Sequence, residues 1–227
     1  IIREVKDAVS KGFVEITLLG QNVNSYRTES GKFPHLLKTV SAVPGVKRIR
    51  YMSPHPQDMD EHLLQVMNDY DNICNYIHLP LQAGSNRILN RMNRTYTISE
   101  YLNLVDTIRG YNLDTSISTD IIVGFPGETE EEFEETLQVM NQVVFDRAFM
   151  FKYSSRPGTK AAEYSDQINE EVKQSRLERL IDLQKTHTLK ANQRHIGKVI
   201  KVLVEKESKK STMQWVGRTE GNMGVIF

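Results

Sequence analysis

The 227 residues, 39% hydrophobic and 26% charged, can bury one large core and a smaller second one. Basic and acidic side chains balance at 29 each, and no apolar run reaches the ~20 residues of a membrane helix, which excludes a helical membrane protein. The single cysteine, Cys74, excludes an internal disulfide and any CxxC-type metal or cluster site made by this chain alone, and is in keeping with the cytoplasm.

Helical periodicity begins at once: Ile1, Ile2, Val5 and Val9 fall near one face of Ile1–Lys11, with Gly12 as a stop. The first residue is not methionine, and Gly224–Phe227 ends inside an apolar strand-like run, so both ends read as cuts through structure and a fragment is expected. Phe13–Leu19 reads as a strand, Phe33–Val43 as a helix ending at Pro44-Gly45, and Lys47–Met52 as the next strand. A helix near Asp60–Asn68 follows, then a strand over Tyr76–Leu81 and helices near Asn86–Met92 and Ile98–Tyr111. Thr97 with Glu100, and Thr129 with Glu132, have the spacing of capping boxes, each tying down two orphan amides at a helix start. Between them Ser116–Val123 is a strand. After the helix from Glu130, Arg147–Tyr153 is again a strand, and Asn169 caps a long helix from Glu170 to about Arg194.

Five strands alternating with helices predict an α/β fold with a parallel sheet and right-handed crossovers, as a barrel or an open sheet. From Gly197 the pattern changes to short strands, Lys198–Glu205 and Gln214–Arg218, which read as a small β module. The predicted domains are residues 1–194 and 195–227. Charge is uneven along the chain: residues 1–150 carry 14 basic and 20 acidic side chains, residues 151–227 carry 15 and 9. A basic C-terminal part suits a polyanionic partner, although solvated lysine faces give similar counts.

Polar Gly/Pro clusters follow directly on the strand ends: Gly20-Gln21-Asn22, Ser53-Pro54-His55-Pro56, Gln82-Ala83-Gly84-Ser85, Gly124–Thr129 and Ser154–Thr159. In parallel α/β folds these loops share one face, where ligands bind; as turn residues they would equally serve the turns themselves. In Gly124-Phe125-Pro126-Gly127-Glu128-Thr129 the glycine lets a flat ligand approach the backbone. It is not a phosphate loop, because no GK[ST] follows and Glu130–Glu132 occupy the helix start. Asp120, inside a strand, is a site candidate; His55 and His62 read as surface residues, His78 as structural and Cys74 as a small buried hydrophobe. No acid/base pair or metal-ligand spacing stands out, and no metal ligands are assigned.

Together, Leu18–Tyr26, Ile77–Ser85, Leu89 with Met92-Asn93-Arg94, Asp120–Thr129 and Tyr153–Ala162 closely resemble the radical S-adenosylmethionine (SAM) methylthiotransferases. The resemblance runs the length of the chain. It implies a (β/α)6 partial barrel, TIM-like, lacking its first strand and CxxxCxxC loop, followed by a truncated all-β module of the TRAM kind that binds RNA. Arg156-Pro157 and Gly217–Asn222 resemble the MiaB type, which places a methylthio group on C2 of N6-isopentenyladenosine beside the tRNA anticodon. Relatives acting on threonylcarbamoyladenosine or on a ribosomal protein are the rivals, and a noncatalytic RNA-binding scaffold is the alternative of another class.

By the same resemblance the intact enzyme uses SAM and two 4Fe–4S clusters, an electron donor and tRNA, acts as a monomer in the cytoplasm, and contains no membrane segment. Gly20, Gln21, Asn22, Gln82, Ser85, Asp120, Gly124 and Phe125 are expected to hold SAM. Arg156, Lys198, Lys201, Lys206, Lys209, Lys210 and Arg218 are expected to meet RNA, with Lys209 and Lys210 on an exposed hairpin. This chain alone is expected to bind no cluster, to be inactive, and to self-associate through the exposed edge of its first strand.

Overall fold

A computed structural model describes residues 1–29, 31–52, 56–112 and 114–227. In chain order the elements are α1 (Ile2–Ser10), β1 (Glu15–Leu18), β2 (Arg27–Thr28), β3 (Gly31–Lys32), α2 (Phe33–Ser41), β4 (Arg48–Tyr51), α3 (Glu61–Asp69) and β5 (Tyr76–His78). Then come α4 (Asn86–Arg91), α5 (Ile98–Tyr111), β6 (Ser116–Val123), α6 (Glu130–Val143), β7 (Arg147–Lys152), α7 (Lys160–Glu163) and α8 (Glu170–Gln193). β8 (Leu203–Ser208), β9 (Ser211–Arg218) and β10 (Gly224–Ile226) close the chain.

The chain folds as two compact units, residues 1–78, 108–116 and 195–227 in one, residues 79–107 and 117–194 in the other. One break between the units falls at 194/195, and residues 195–227 group with residues 1–78 and 108–116.

In the first unit β1 and β4 pair in parallel, Glu15 against Arg48 through Leu18 against Tyr51, and Ile49 bridges on to Ile73. Helices α2 and α3 supply Phe33, Leu37, Val40 and Leu63, all fully or nearly fully buried, and Phe33 meets Tyr51 edge-to-face at 5.3 Å. Each such side chain contributes about 1.5–3 kcal/mol by leaving water. Among the described residues β1 has a strand partner on one side only. Beside its other edge lies an open, largely apolar groove of about 470 Å³, lined by Ile1, Val5, Phe13, Leu18, Leu19 and Leu36 among others.

β8, β9 and β10 form an antiparallel sheet, β9 in the middle. Two buried arginines, two residues apart on β4, hold backbone from this segment. Arg48 donates to the Arg218 carbonyl at 2.7 Å and the Lys201 carbonyl at 3.1 Å. Arg50 donates to the carbonyls of Thr219 at 2.7 Å and Glu220 at 2.8 Å, and to Glu15 at 3.2 Å. Such charge-assisted bonds tie these carbonyls to β4.

In the second unit β6 and β7 pair in parallel, Ser118 against Arg147 through Val123 against Lys152. Leu79 donates to the Ser118 carbonyl and Leu81 to the Thr119 hydroxyl, while Gln82 bridges to Ile121. Pro80 explains why β5 stops at His78 rather than running to Leu81: proline has no N–H for the ladder. Three expected caps are realised: Thr97 with Glu100, Thr129 with Glu132, and Asn169 accepting from the Glu171 amide.

The strand expected over Lys198–Glu205 instead spans Leu203–Ser208. Val199 is fully exposed, and the Lys201 carbonyl is turned to Arg48 rather than to a ladder. Among the described residues no helix is long and apolar enough to cross a membrane.

Candidate functional site

The residues singled out from the sequence fall in both units. In the first, Gly20, Gln21 and Asn22 are exposed just past β1. Asn22 has φ +118°, unusual for a residue with a side chain, and its carbonyl accepts from Ser25 at 2.9 Å to open a short 3-10 turn. The second cluster, at residues 53–55 including His55, lies outside the described residues. His62 is exposed, and His78 and Cys74 are buried. Burial pushes the Cys74 thiol up to about 11, the behaviour of an inert core cysteine.

In the second unit the remaining candidates come together. Gln82, buried and at φ +70°, donates from its amide to the Asp120 carbonyl at 2.8 Å and accepts from Ile122 at 2.9 Å. Those bonds stitch the loop after Leu81 to the middle of β6, where Asp120 is half-buried. The loop also needs Gly84: a Cβ there would overlap the Thr136 backbone on α6, and the Gly84 amide donates to the Thr136 hydroxyl at 2.8 Å.

Ser85 is buried and its hydroxyl donates to Glu132 at 3.0 Å. Glu132 also accepts two bonds from Arg87, at 2.7 and 2.6 Å, and one from the Thr129 amide at 2.9 Å. Burial opposes ionisation of this carboxyl, but the Arg87, Thr129 and Ser85 donors prevail and hold it down at about 2.

Gly124 ends β6 at φ +70°, a conformation that favours glycine. Its amide donates to Glu128 at 2.7 Å, and the space a Cβ would take is filled by the aliphatic stem of Lys173. Glu128 is 2% exposed and faces Arg176, 5% exposed, at 2.8 Å. Burial pushes the Glu128 carboxyl up from its ordinary value, against the Gly124 amide and Arg176, which favour its charge. Phe125 is buried edge-to-face against Tyr153 at 5.1 Å and Tyr164 at 6.4 Å. The Gly124–Thr129 segment is thus a rigid hub, tied to α8 by an ion pair that costs several kcal/mol to break.

The expected RNA-facing residues are mostly free of the core. Arg156, Lys198, Lys201, Lys206, Lys209 and Lys210 are exposed, and Lys209-Lys210 is the two-residue tip of the β8–β9 hairpin. Arg218 is half-buried, paired with Glu205 at 2.9 Å and bonded to Asn222 at 3.1 Å.

Sequence reasoning missed Arg176 and Lys173 behind the glycine loop, Arg87 on Glu132, and the β4 arginines. The alternation Arg48-Ile49-Arg50 was the available signal: two cations flanking a buried isoleucine on a strand read as needing partners. Phe149 and Phe151 on β7, 42% and 53% exposed, were also passed over.

Residues 1–140 match the family model of the radical SAM superfamily. The tRNA-2-methylthio-N(6)-dimethylallyladenosine synthase of Porphyromonas gingivalis is 52% identical over 233 residues, covering 100% of this chain and 50% of its own length. That of Acetivibrio thermocellus is 47% identical over 230 residues, covering 100% of this chain and 48% of its own. The chain spans about half the length of the curated relatives it matches. Among solved structures, coproporphyrinogen III oxidase from Escherichia coli, a radical SAM enzyme, is similar at TM-score 0.62 and 18% identity over 82% of this chain and 44% of its own. Methylornithine synthase is similar at TM-score 0.55 and 16% identity over 84% and 60%. These likenesses carry the fold alone; with the family match, they place the α/β architecture, and the chain belongs to the radical SAM superfamily.

Proposed function

We propose that this chain is a segment of a tRNA methylthiotransferase that adds a methylthio group to C2 of N6-isopentenyladenosine beside the anticodon. The observation that carries the reading is 46–52% identity, along the whole chain, to relatives bearing the dimethylallyladenosine synthase name. Arg156-Pro157, in the loop after β7, is part of the same pattern.

SAM bound at the strand ends would supply the methyl group and the radical; this segment binds and orients. Gly20, Gln21, Asn22, Gln82, Ser85, Asp120, Gly124 and Phe125 form the proposed SAM-contacting set. Support comes from Asn22 and Gln82, each a side-chain-bearing residue held at positive φ in the loop after an expected strand, the kind of strain that collects at ligand sites. The clusters do not find their ligands here. Cys74 is the one cysteine and it is buried, and no group of three or more His, Cys, Asp or Glu among the described residues could hold a metal ion. Cysteines elsewhere in a longer protein would have to provide them, and no step is derived through them.

The β8–β10 sheet, with Lys198, Lys201, Lys206, Lys209, Lys210 and Arg218, is the proposed TRAM-like RNA contact, joined by Arg156. Its exposed lysines suit phosphate, which adds affinity without reading bases.

The test is product analysis. The longer protein containing this chain, reconstituted anaerobically with iron, sulfide, SAM and a reductant, is expected to convert dimethylallyladenosine in tRNA to its 2-methylthio derivative, read by mass spectrometry of the digested nucleosides. SAM cleavage that leaves prenylated tRNA unmarked, or a mark on threonylcarbamoyladenosine instead, would overturn it.

A further inference from the structure

Carboxylates crowd the turn that ends β6. Glu128, Glu130, Glu131 and Glu132 follow one another closely, and their repulsion would loosen the turn unless cations separate them. Arg176 on α8 faces Glu128 and Glu130, and Arg179 on α8 faces Glu130. Glu132 is met instead by Arg87, from α4, just past the loop that follows β5.

Arg87 takes both oxygens of that carboxylate, Nε to Oε1 at 2.7 Å and Nη2 to Oε2 at 2.6 Å. The same Nη2 donates to the Gly127 carbonyl at 2.5 Å, while the Gly127 amide donates to the Asp166 carbonyl at 2.8 Å. Phe125 and Pro126 thus lie between two glycines at positive φ, Gly124 and Gly127, and the second is held from both sides of its backbone. Glu132 also takes the Ser85 hydroxyl from the loop after β5 and the Thr129 amide at the start of α6. One arginine–carboxylate pair therefore joins the loop at 82–85 to the turn at 124–127.

Lysine could supply the charge but not the two parallel bonds of a guanidinium. Without Arg87 the Gly127 carbonyl would be released and the charge on Glu132 would be left without its arginine. That charge already helps to push up the neighbouring Glu128 carboxyl, second to burial, and Glu128 is what holds the Gly124 amide. Loss of Arg87 would therefore reach both glycines of the turn. Neither Arg87 nor Glu132 belongs to the set proposed to contact SAM, and Ser85, which gives its proton to Glu132, keeps its lone pairs for a ligand.

From this geometry we propose that Arg87 is a positioning residue for SAM: through Glu132 and the Gly127 carbonyl it fixes the loop after β5 against the Gly124–Gly127 turn, so that Gln82 and Phe125 meet the ligand in a preset arrangement. The inference rests on the functional reading above and deepens it.

The test is SAM binding, scored apart from chemistry. The longer protein containing this chain, reconstituted with iron and sulfide, is titrated with SAM by equilibrium dialysis without reductant. Arg87→Met is expected to weaken SAM roughly tenfold, the scale of one coupled interaction. Arg87→Lys should recover little of the loss. Arg87→Met with Glu132→Gln should bind close to Arg87→Met alone, because the two residues act as one unit. In SAM-free protein, hydrogen exchange should quicken at Gly124 and Gly127 in Arg87→Met and stay unchanged at the far end of α8. An Arg87→Met protein with the parent's iron content, circular dichroism and SAM affinity would overturn the proposal, as would losses that simply multiply in the double variant. If Arg87→Met does not fold, Arg87→Lys carries the same comparison, and parent-like affinity and exchange there overturn it. Failure of the function reading looks different: SAM affinity would still depend on Arg87, but the longer protein would leave prenylated tRNA unmarked.

Discussion

Glycine means different things at different positions of this chain. At Gly84 a Cβ would run into the Thr136 backbone, which cannot swing away as a side chain could. At Gly110, near the end of α5, nothing lies within 4 Å. The same change should therefore have opposite signs. Gly84→Ala is expected to destabilise by about 1–3 kcal/mol through overpacking, and Gly110→Ala to stabilise by up to about 1 kcal/mol through helix propensity. Chemical denaturation of the two variants checks it; equal effects would mean that the loop after Gln82 is not pinned on α6. Glu132 gives a second test. Its carboxyl is held at about 2 in the fold against an ordinary 4.5, so the stabilisation is complete above about pH 4.5 and is lost as pH falls toward 2. Glu132→Gln should cost roughly 2–3 kcal/mol at neutral pH, and the gap to the parent should close between pH 4.5 and 2. A gap constant across that window would deny Glu132 its ionised role. Thr129 and Glu132 were legible as a capping box from spacing alone. That Glu132 simultaneously anchors Ser85 and Arg87 was not, because those partners lie 45–47 residues away in sequence.

Elements declared themselves where periodicity and punctuation agree, and failed where tertiary partners decide. The helices from Phe33, Ile98, Glu130 and Glu170 begin where the sequence put them, each marked by a cap or an apolar stripe. The short β2–β3 hairpin and the four-residue α7 carry too few residues for any period to show. The strand expected from Lys198 slid to Leu203 because Arg48, some 150 residues earlier, claims the Lys201 carbonyl. The β8–β9 hairpin was legible: polar residues between two strand patterns became a tight turn whose tip is Lys209-Lys210. If each tip lysine contacts one phosphate, changing both to Glu in the longer protein should flatten the log–log salt dependence of tRNA binding by roughly 1.4–1.8. SAM cleavage without RNA should not change. An unaltered slope and affinity would take the hairpin out of the RNA footprint.

Across the whole molecule, the α/β order was readable in the sequence, and the family match agrees with it. The grouping into compact units was not, since the buried Arg48 and Arg50 join the C-terminal strands to the N-terminal half and leave no trace in composition. The change of pattern near Gly197 suggested the boundary at residue 194, but a local pattern reports on elements and not on which of them pack together. We propose that this segment carries the information for acting on dimethylallyladenosine. The most direct measurement is a segment exchange. The matching half of the Porphyromonas gingivalis synthase, 52% identical, is replaced by this chain, and the chimera is expressed in bacteria whose tRNA carries dimethylallyladenosine but no methylthio group. Nucleoside mass spectrometry should find the 2-methylthio derivative restored. A soluble chimera that cleaves SAM yet leaves dimethylallyladenosine unmarked would contradict the claim.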